Sequence, residues 1–205
     1  MSEQSFDTPH GRAVAHLHPA ATPRGALVLG HGAGGGVAAP DLVAATEAAV
    51  GEGFTVALVE QPYRVAGKRS SPPPAKLDEA WIAVLEALRG GELEGLPLVS
   101  GGRSAGARVA CRTAAATGAV GVLCLAFPLQ PPPRAGKPPG PARLDELEEA
   151  GVPVLVVQGE RDRFGMPEPA PGREVVQVAG DHGLKKDVPA VAAATARWLA
   201  ALPAS

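Results

Sequence analysis

Residues 96 to 116 read LPLVSGGRSAGARVACRTAAA, and they predict a strand, a sharp turn and a helix in immediate succession. Leu96 to Ser100 is a short apolar run, and Ala107 to Ala116 has helical composition. Between them Gly101-Gly102-Arg103-Ser104-Ala105-Gly106 places a serine at the centre of a G-x-S-x-G. Small residues are needed there for a physical reason. A serine on so tight a turn projects its hydroxyl above the sheet, and Gly102 and Gly106 leave room for strand and helix to approach each other. The plainer reading is a glycine-rich βα loop whose serine merely caps the helix.

The same rhythm recurs on both sides of that stretch. Gly25 to Gly30, Phe54 to Glu60 and Val154 to Gln158 are Val- and Leu-rich runs without polar alternation, so both of their faces are expected to be covered by helices. Val120 to Phe127 and Glu174 to Ala179 are further strand candidates, and Arg12 to His18 is expected to form an edge strand ahead of the parallel set. Leu77, Ala80, Trp81, Val84, Leu85 and Leu88 keep the spacing of one helix face, as do Val191, Thr195, Trp198, Leu199 and Leu202. Strands alternating with helices give an α/β fold with a mostly parallel central sheet and helices on both faces. The length of 205 residues suits a single domain over 1–205 with no inserted cap domain. Pro128, Pro131, Pro132, Pro133, Pro138, Pro139 and Pro141 mark a stiff, extended loop. With Gln61 to Pro74, that loop is the expected roof of any site at this end of the sheet.

Composition excludes several classes of function. A formal charge of −2 gives no handle for nucleic acid or anionic lipid, and 3% aromatic residues are too few for base-stacking surfaces. No apolar run approaches the ~18 residues of a membrane span, so no membrane partner is expected. Met1 to Asp7 is polar and acidic where an export signal would be basic and then apolar, which predicts a cytoplasmic protein. Cys111 and Cys124 sit in apolar segments and read as buried thiols, neither a disulfide framework nor a zinc site.

Further along, the run Val154 to Gln158 leads into Gly159-Glu160-Arg161-Asp162, and the next strand leads into Gly180-Asp181-His182-Gly183-Leu184. Serine, acid and histidine, each just past a strand end and in that order, make a nucleophile, an orienting carboxylate and a base. Taken singly, Asp162 reads as a solvated loop carboxylate and His182 as a surface histidine, and Glu160 could face His182 as well as Asp162 could. Gly30-His31-Gly32-Ala33-Gly34-Gly35-Gly36 follows the first core strand and offers unobstructed backbone N–H groups. Ala33 and Ala105 are therefore the expected oxyanion donors, and His31 is expected to shape the loop. Gly30, Gly32 and Gly35 also fit a dinucleotide-binding G-x-G-x-x-G, with Glu60 closing the next strand. In that fold, however, Pro40 would fall inside the helix, where it costs ~3 kcal/mol. A helix starting near Pro40-Asp41 accommodates it. Arg103 could hold a substrate carboxylate bidentately, with Tyr63 reaching the same pocket; the alternative for Arg103 is an internal salt bridge or a helix-packing role. His16 and His18 share one face of their strand but lack a third ligand, so no metal is expected.

These segments together resemble the α/β-hydrolases, in particular the small, cap-less, dienelactone-hydrolase-like kind, over nearly the whole chain. LVLGHGAGGG, GGRSAG, Phe127-Pro128-Leu129, VQGERDRFG and GDHGL resemble a group that includes testis-expressed and NSL-complex-subunit homologues. Arg103 stands where many esterases of the superfamily carry His or a neutral residue. The resemblance implies Ser104 as nucleophile, His182 as base and Asp162 as acid, the shorter carboxylate three residues past Gly159 fitting the family turn. It implies a cofactor-free serine hydrolase acting on a carboxylic ester or related acyl bond of a small substrate. Because the group also contains scaffolds, the alternative is a non-catalytic binding module on the same fold. The sequence carries no signal for oligomeric state.

Overall fold

Eight strands form one twisted sheet among the residues described by the computed structural model, 2–131 and 140–203. They are β1 (Ser2–Thr8), β2 (Gly11–His18), β3 (Gly25–Gly30), β4 (Phe54–Glu60), β5 (Leu98–Arg103), β6 (Gly121–Leu125), β7 (Val154–Gly159) and β8 (Arg173–Val178), in spatial order β1-β2-β4-β3-β5-β6-β7-β8. β2 runs antiparallel to both of its neighbours, and every other pairing is parallel.

Alternate residues of each central strand feed opposite layers, which is why these strands are apolar throughout. Leu27 and Leu29 of β3, Leu123 and Leu125 of β6, and Leu155 and Val157 of β7 pack with α1 (Pro40–Gly51) and α6 (Val188–Ala201). On the other face, Ala26 and Val28 meet Trp81 and Leu85 of α3 (Pro74–Arg89). Val122, Cys124, Val154 and Val156 meet α4 (Ala105–Thr117) and Leu147 of α5 (Leu144–Glu149) there. A short turn of helix, α2 (Pro62–Val65), follows β4. Proline occupies the first or second position of α1, α2, α3 and α6, where its missing N–H leaves no helical bond unmade. The six residues expected on the inner face of α3 are its buried ones. On α6, Ala194 joins the buried face, while Leu202 sits half-buried at the C-cap.

Several boundaries differ from expectation. The edge strand is β1, which covers β2 on its outer side. Its residues are polar apart from the buried Phe6, so no apolar run announces it. β5 starts beyond Pro97, which has no N–H to give, and continues through Gly101 and Gly102, which pair with Leu29 and Gly30 on one side and Leu123 and Cys124 on the other. β6 stops at Leu125 because Ala126 turns to φ +51°. α5 follows directly on the Pro-rich stretch, of which Pro132, Pro133, Pro138 and Pro139 lie outside the described residues. α1 begins at Pro40, well past the glycine loop, so that loop does not open a helix as a dinucleotide fold requires. Cys111 and Cys124 are free and buried, their sulfurs 3.5 Å apart between α4 and β6. No helix among the described residues is long and apolar enough to cross a membrane.

Candidate active site

The turn from β5 into α4 is made by Ser104 alone, at φ 53° and ψ −105°, a strained conformation for a residue with a side chain. Two contacts hold it. Its N–H donates to the Leu125 carbonyl at 2.9 Å, and the neighbouring glycines press against β3. A Cβ on Gly102 or on Gly106 would lie 2.4 Å from the Gly30 oxygen, so only glycine fits at either place. The Ser104 hydroxyl does not cap α4, which excludes the plainer sequence reading. Instead Oγ lies 3.0 Å from Nε2 of His182.

The loop after β8 brings His182 to this position, and the loop after β7 brings its partner. Nδ1 of His182 is 2.8 Å from Oδ2 of Asp162, whose side chain is fully buried. Because a carboxylate only accepts, the proton belongs on Nδ1, leaving the Nε2 lone pair for the serine hydroxyl. Asp162 also accepts from the Phe164 N–H at 2.9 Å and from Nε2 of Gln158 at 2.9 Å. The Phe164 ring stands edge-on to the imidazole, with centroids 4.5 Å apart. Glu160, the other carboxylate on this loop, is exposed beside Arg161. Sequence reading missed Gln158. A fully buried amide at the end of an otherwise apolar strand was its signal, and its Nε2 also reaches the carbonyls of Phe127 and Gly165 at 3.0 and 2.8 Å.

The glycine loop after β3 closes over the serine. A Cβ on Gly32 would sit 3.6 Å from the Ser104 Cβ, which puts Gly32 beside that serine. Ala105 opens α4, so its N–H is one of those a helix leaves without an internal partner. His31 fastens this loop: Nδ1–H donates to the Gly32 carbonyl at 2.9 Å, and Nε2 accepts the Gln61 N–H at 3.1 Å. Burial pushes the pKa of His31 below its ordinary value, and the neutral ring is the form these two bonds need.

Two expected substrate contacts are otherwise engaged. The Tyr63 hydroxyl donates to the Ala33 carbonyl at 3.0 Å and the side chain is buried, so it braces the glycine loop. Arg103 does not present its guanidinium to a substrate carboxylate. Nε lies 2.9 Å from Oδ2 of Asp41, and Nη2 donates to the His182 carbonyl at 2.8 Å. The start of α1 carries Asp41, wholly buried, to the end of β5, so the anion Arg103 meets is internal. Burial raises the Asp41 pKa, and the Arg103 cation and the Leu42 N–H oppose that rise. Among the described residues no three potential metal ligands gather.

The family profile described as alpha/beta hydrolase domain matches residues 23–189. No curated protein matches the chain. Among solved structures, a lid-less α/β serine hydrolase from Xanthomonas campestris aligns with a TM-score of 0.73 at 20% identity, over 98% of this chain and 96% of the other. Est1E of Butyrivibrio proteoclasticus, with ferulic acid bound, aligns at 0.71 and 15% identity over 96% and 97%. A dienelactone hydrolase from Anabaena variabilis aligns at 0.72 and 15% identity over 96% and 95%. At such identities the likeness is one of fold.

Proposed function

The chain belongs to the alpha/beta hydrolase domain family, and on that premise we propose that residues 1–205 form one serine hydrolase domain that cleaves a carboxylic ester or related acyl bond of a small substrate. The observation that carries this reading is the continuous hydrogen-bonded line from Asp162 through His182 to Ser104, at 2.8 and 3.0 Å. His182 Nε2 takes the Oγ proton as Oγ attacks the acyl carbon. The resulting oxyanion lies toward the N–H groups of Ala33 and Ala105, the donors we assign to it. Collapse expels the alcohol, which recovers the proton from His182, and leaves the acyl group on Oγ. Water then repeats the sequence, its proton going to Nε2 and back to Oγ as the acid leaves. Asp162 holds the tautomer and stabilises the imidazolium; the chemistry needs no cofactor.

A cleft of about 550 Å³, lined by Pro9, His10, Gln61, Tyr63, Lys68 and Lys76, opens at the same rim of the sheet, and none of Ser104, Asp162 and His182 lines it. Est1E with bound ferulic acid and the dienelactone hydrolase among the fold neighbours are consistent with acyl substrates. Within the family, the segments LVLGHGAGGG, GGRSAG and GDHGL support a place in the dienelactone-hydrolase-like group with testis-expressed and NSL-complex-subunit homologues.

Labelling by a fluorophosphonate probe and hydrolysis of p-nitrophenyl acetate test the proposal. Wild type is expected to do both, and Ser104→Ala to lose labelling and turnover on the order of 10⁶-fold with little change in stability. A wild-type chain that resists the probe and hydrolyses no faster than Ser104→Ala is the binding module instead.

A further inference from the structure

We infer that the Arg103–Asp41 pair, whose carboxylate is fully buried and whose guanidinium is largely so, is a positioning device for His182, its guanidinium fixing the main chain of the base while Asp162 fixes its ring; this rests on the proposed roles of Ser104 and His182. An ion pair is a costly thing to bury. An apolar pair of similar volume commonly does as well or better for stability, so the pair calls for a reason other than stability. Its place supplies one. Arg103 is the last residue of β5, directly before Ser104. Its Nε rests on Asp41 in the first turn of α1, its Nη1 would lie 3.0 Å from a Cβ on Gly32 in the oxyanion loop, and its Nη2 donates to the carbonyl of His182. One planar group therefore touches α1, the glycine loop and the base loop, and it is covalently joined to the nucleophile turn.

The base loop is packed at Asp181 against Gly159 and at Leu184 in the core, but few hydrogen bonds hold the main chain of His182 between them. It runs from Gly180 at φ +124° to Leu184 at φ +48°, and its internal bonds, from the Leu184 N–H to the Asp181 carbonyl and from the Gly183 N–H to the Asp181 carboxylate, tie the loop only to itself. Arg161 N–H fastens the Gly180 carbonyl, ahead of the histidine. At His182 itself, the main-chain tie to the nucleophile side of the site is the 2.8 Å bond from Arg103. The imidazole has to keep Nε2 3.0 Å from Oγ and Nδ1 2.8 Å from Asp162 at once. A shift of ~1 Å in its Cα forfeits one of them, which is enough to slow turnover about 10²-fold. Asp41 matters because it turns the guanidinium so that Nη2 faces the carbonyl. A lysine ammonium could bond the carboxylate or the carbonyl but has no fork to span both.

The test separates an ion pair that only neutralises itself from one that places the base. Arg103→Met and Asp41→Asn each leave a partner unpaired, and each should lower the melting temperature and kcat on p-nitrophenyl acetate. The double variant Arg103→Met/Asp41→Leu removes both charges. Its melting temperature should return toward wild type, while kcat stays about 10- to 100-fold low with KM little changed. Arg103→Lys should recover part of the loss. A stable double variant with wild-type kcat overturns the inference. A second readout does not need turnover: the low-field proton resonance of the His182 Nδ1–H, present in wild type and Ser104→Ala, should shift or vanish in the double variant. If wild type proves inactive, the proposed hydrolase reading fails, yet loss of that resonance in the double variant still supports the positioning role, and an unchanged resonance refutes it.

Discussion

Replacing Gly106 with alanine should destabilise this protein and slow it, against the ordinary preference of helices. Gly106 is the second residue of α4, and alanine in a helix is usually better than glycine by ~1 kcal/mol. Here the added methyl would lie 2.4 Å from the Gly30 oxygen, 2.6 Å from the Gly30 carbonyl carbon and 3.0 Å from the His31 oxygen. All three atoms are backbone, so none can rotate away. Restoring ordinary contact requires α4 and β3 to separate by roughly 1 Å, an overpacking whose usual cost is ~1–3 kcal/mol and which outweighs the gain in propensity. Gly30 and His31 lead directly into the loop that carries Ala33. The same displacement therefore moves the proposed oxyanion donor relative to Ser104, for a loss approaching 10²-fold in kcat/KM. Urea unfolding followed by the fluorescence of Trp81 and Trp198, with kcat/KM on p-nitrophenyl acetate, measures both effects. A Gly106→Ala protein at least as stable and as active as wild type would refute the reasoning and mean that the two backbones are not in contact.

Asp162→Asn should lower turnover on the order of 10⁴-fold, since an amide no longer holds the histidine tautomer. Glu160→Gln should leave turnover unchanged, and the reverse ranking in initial rates would overturn the assignment. His31 gives a pH signature. Its native pKa is depressed by burial, so below the ordinary value of about 6.5 the unfolded chain binds the proton and the native one resists it. Stability should therefore rise with pH up to about 6.5 and fall away below it as the native pKa is approached. His31→Gln should flatten that slope in urea titrations at stepped pH, and an unchanged slope would assign it to other groups.

What the sequence revealed and what it hid follow from whether the cause was local. β3 and β4 were readable to the residue because strands buried on both faces are predominantly apolar and lack polar alternation. β1 was hidden because an outer strand with a single inward side chain, Phe6, has no such run. Ser104, Asp162 and His182 were legible as strand-end residues beside glycines, and they meet in the structure. The choice of Asp162 over Glu160 becomes geometric only once the loop after β7 is folded. Sequence leaves Arg103 open between a substrate carboxylate and an internal partner because that partner, Asp41, is distant in the chain and looks like an ordinary first-turn acid of α1. Gln158 was passed over for a related reason: an amide closing an apolar run looks like a strand end until its acceptors after β6 and in the loop after β7 are in view.

The two cysteines give the molecule a built-in gauge of its own opening. Cys124 is wholly enclosed, and burial together with the neighbouring Cys111 thiol pushes its pKa well above the ordinary range. Thiolates are what attack alkylating reagents, so in the native fold Cys124 is shielded twice, by access and by protonation, and Cys111 is shielded by access. They become reactive when β6 and α4 part, an event that also dismantles the turn holding Ser104. The rate of thiol modification thus follows the loss of the candidate nucleophile's geometry, without substrate and without any introduced label.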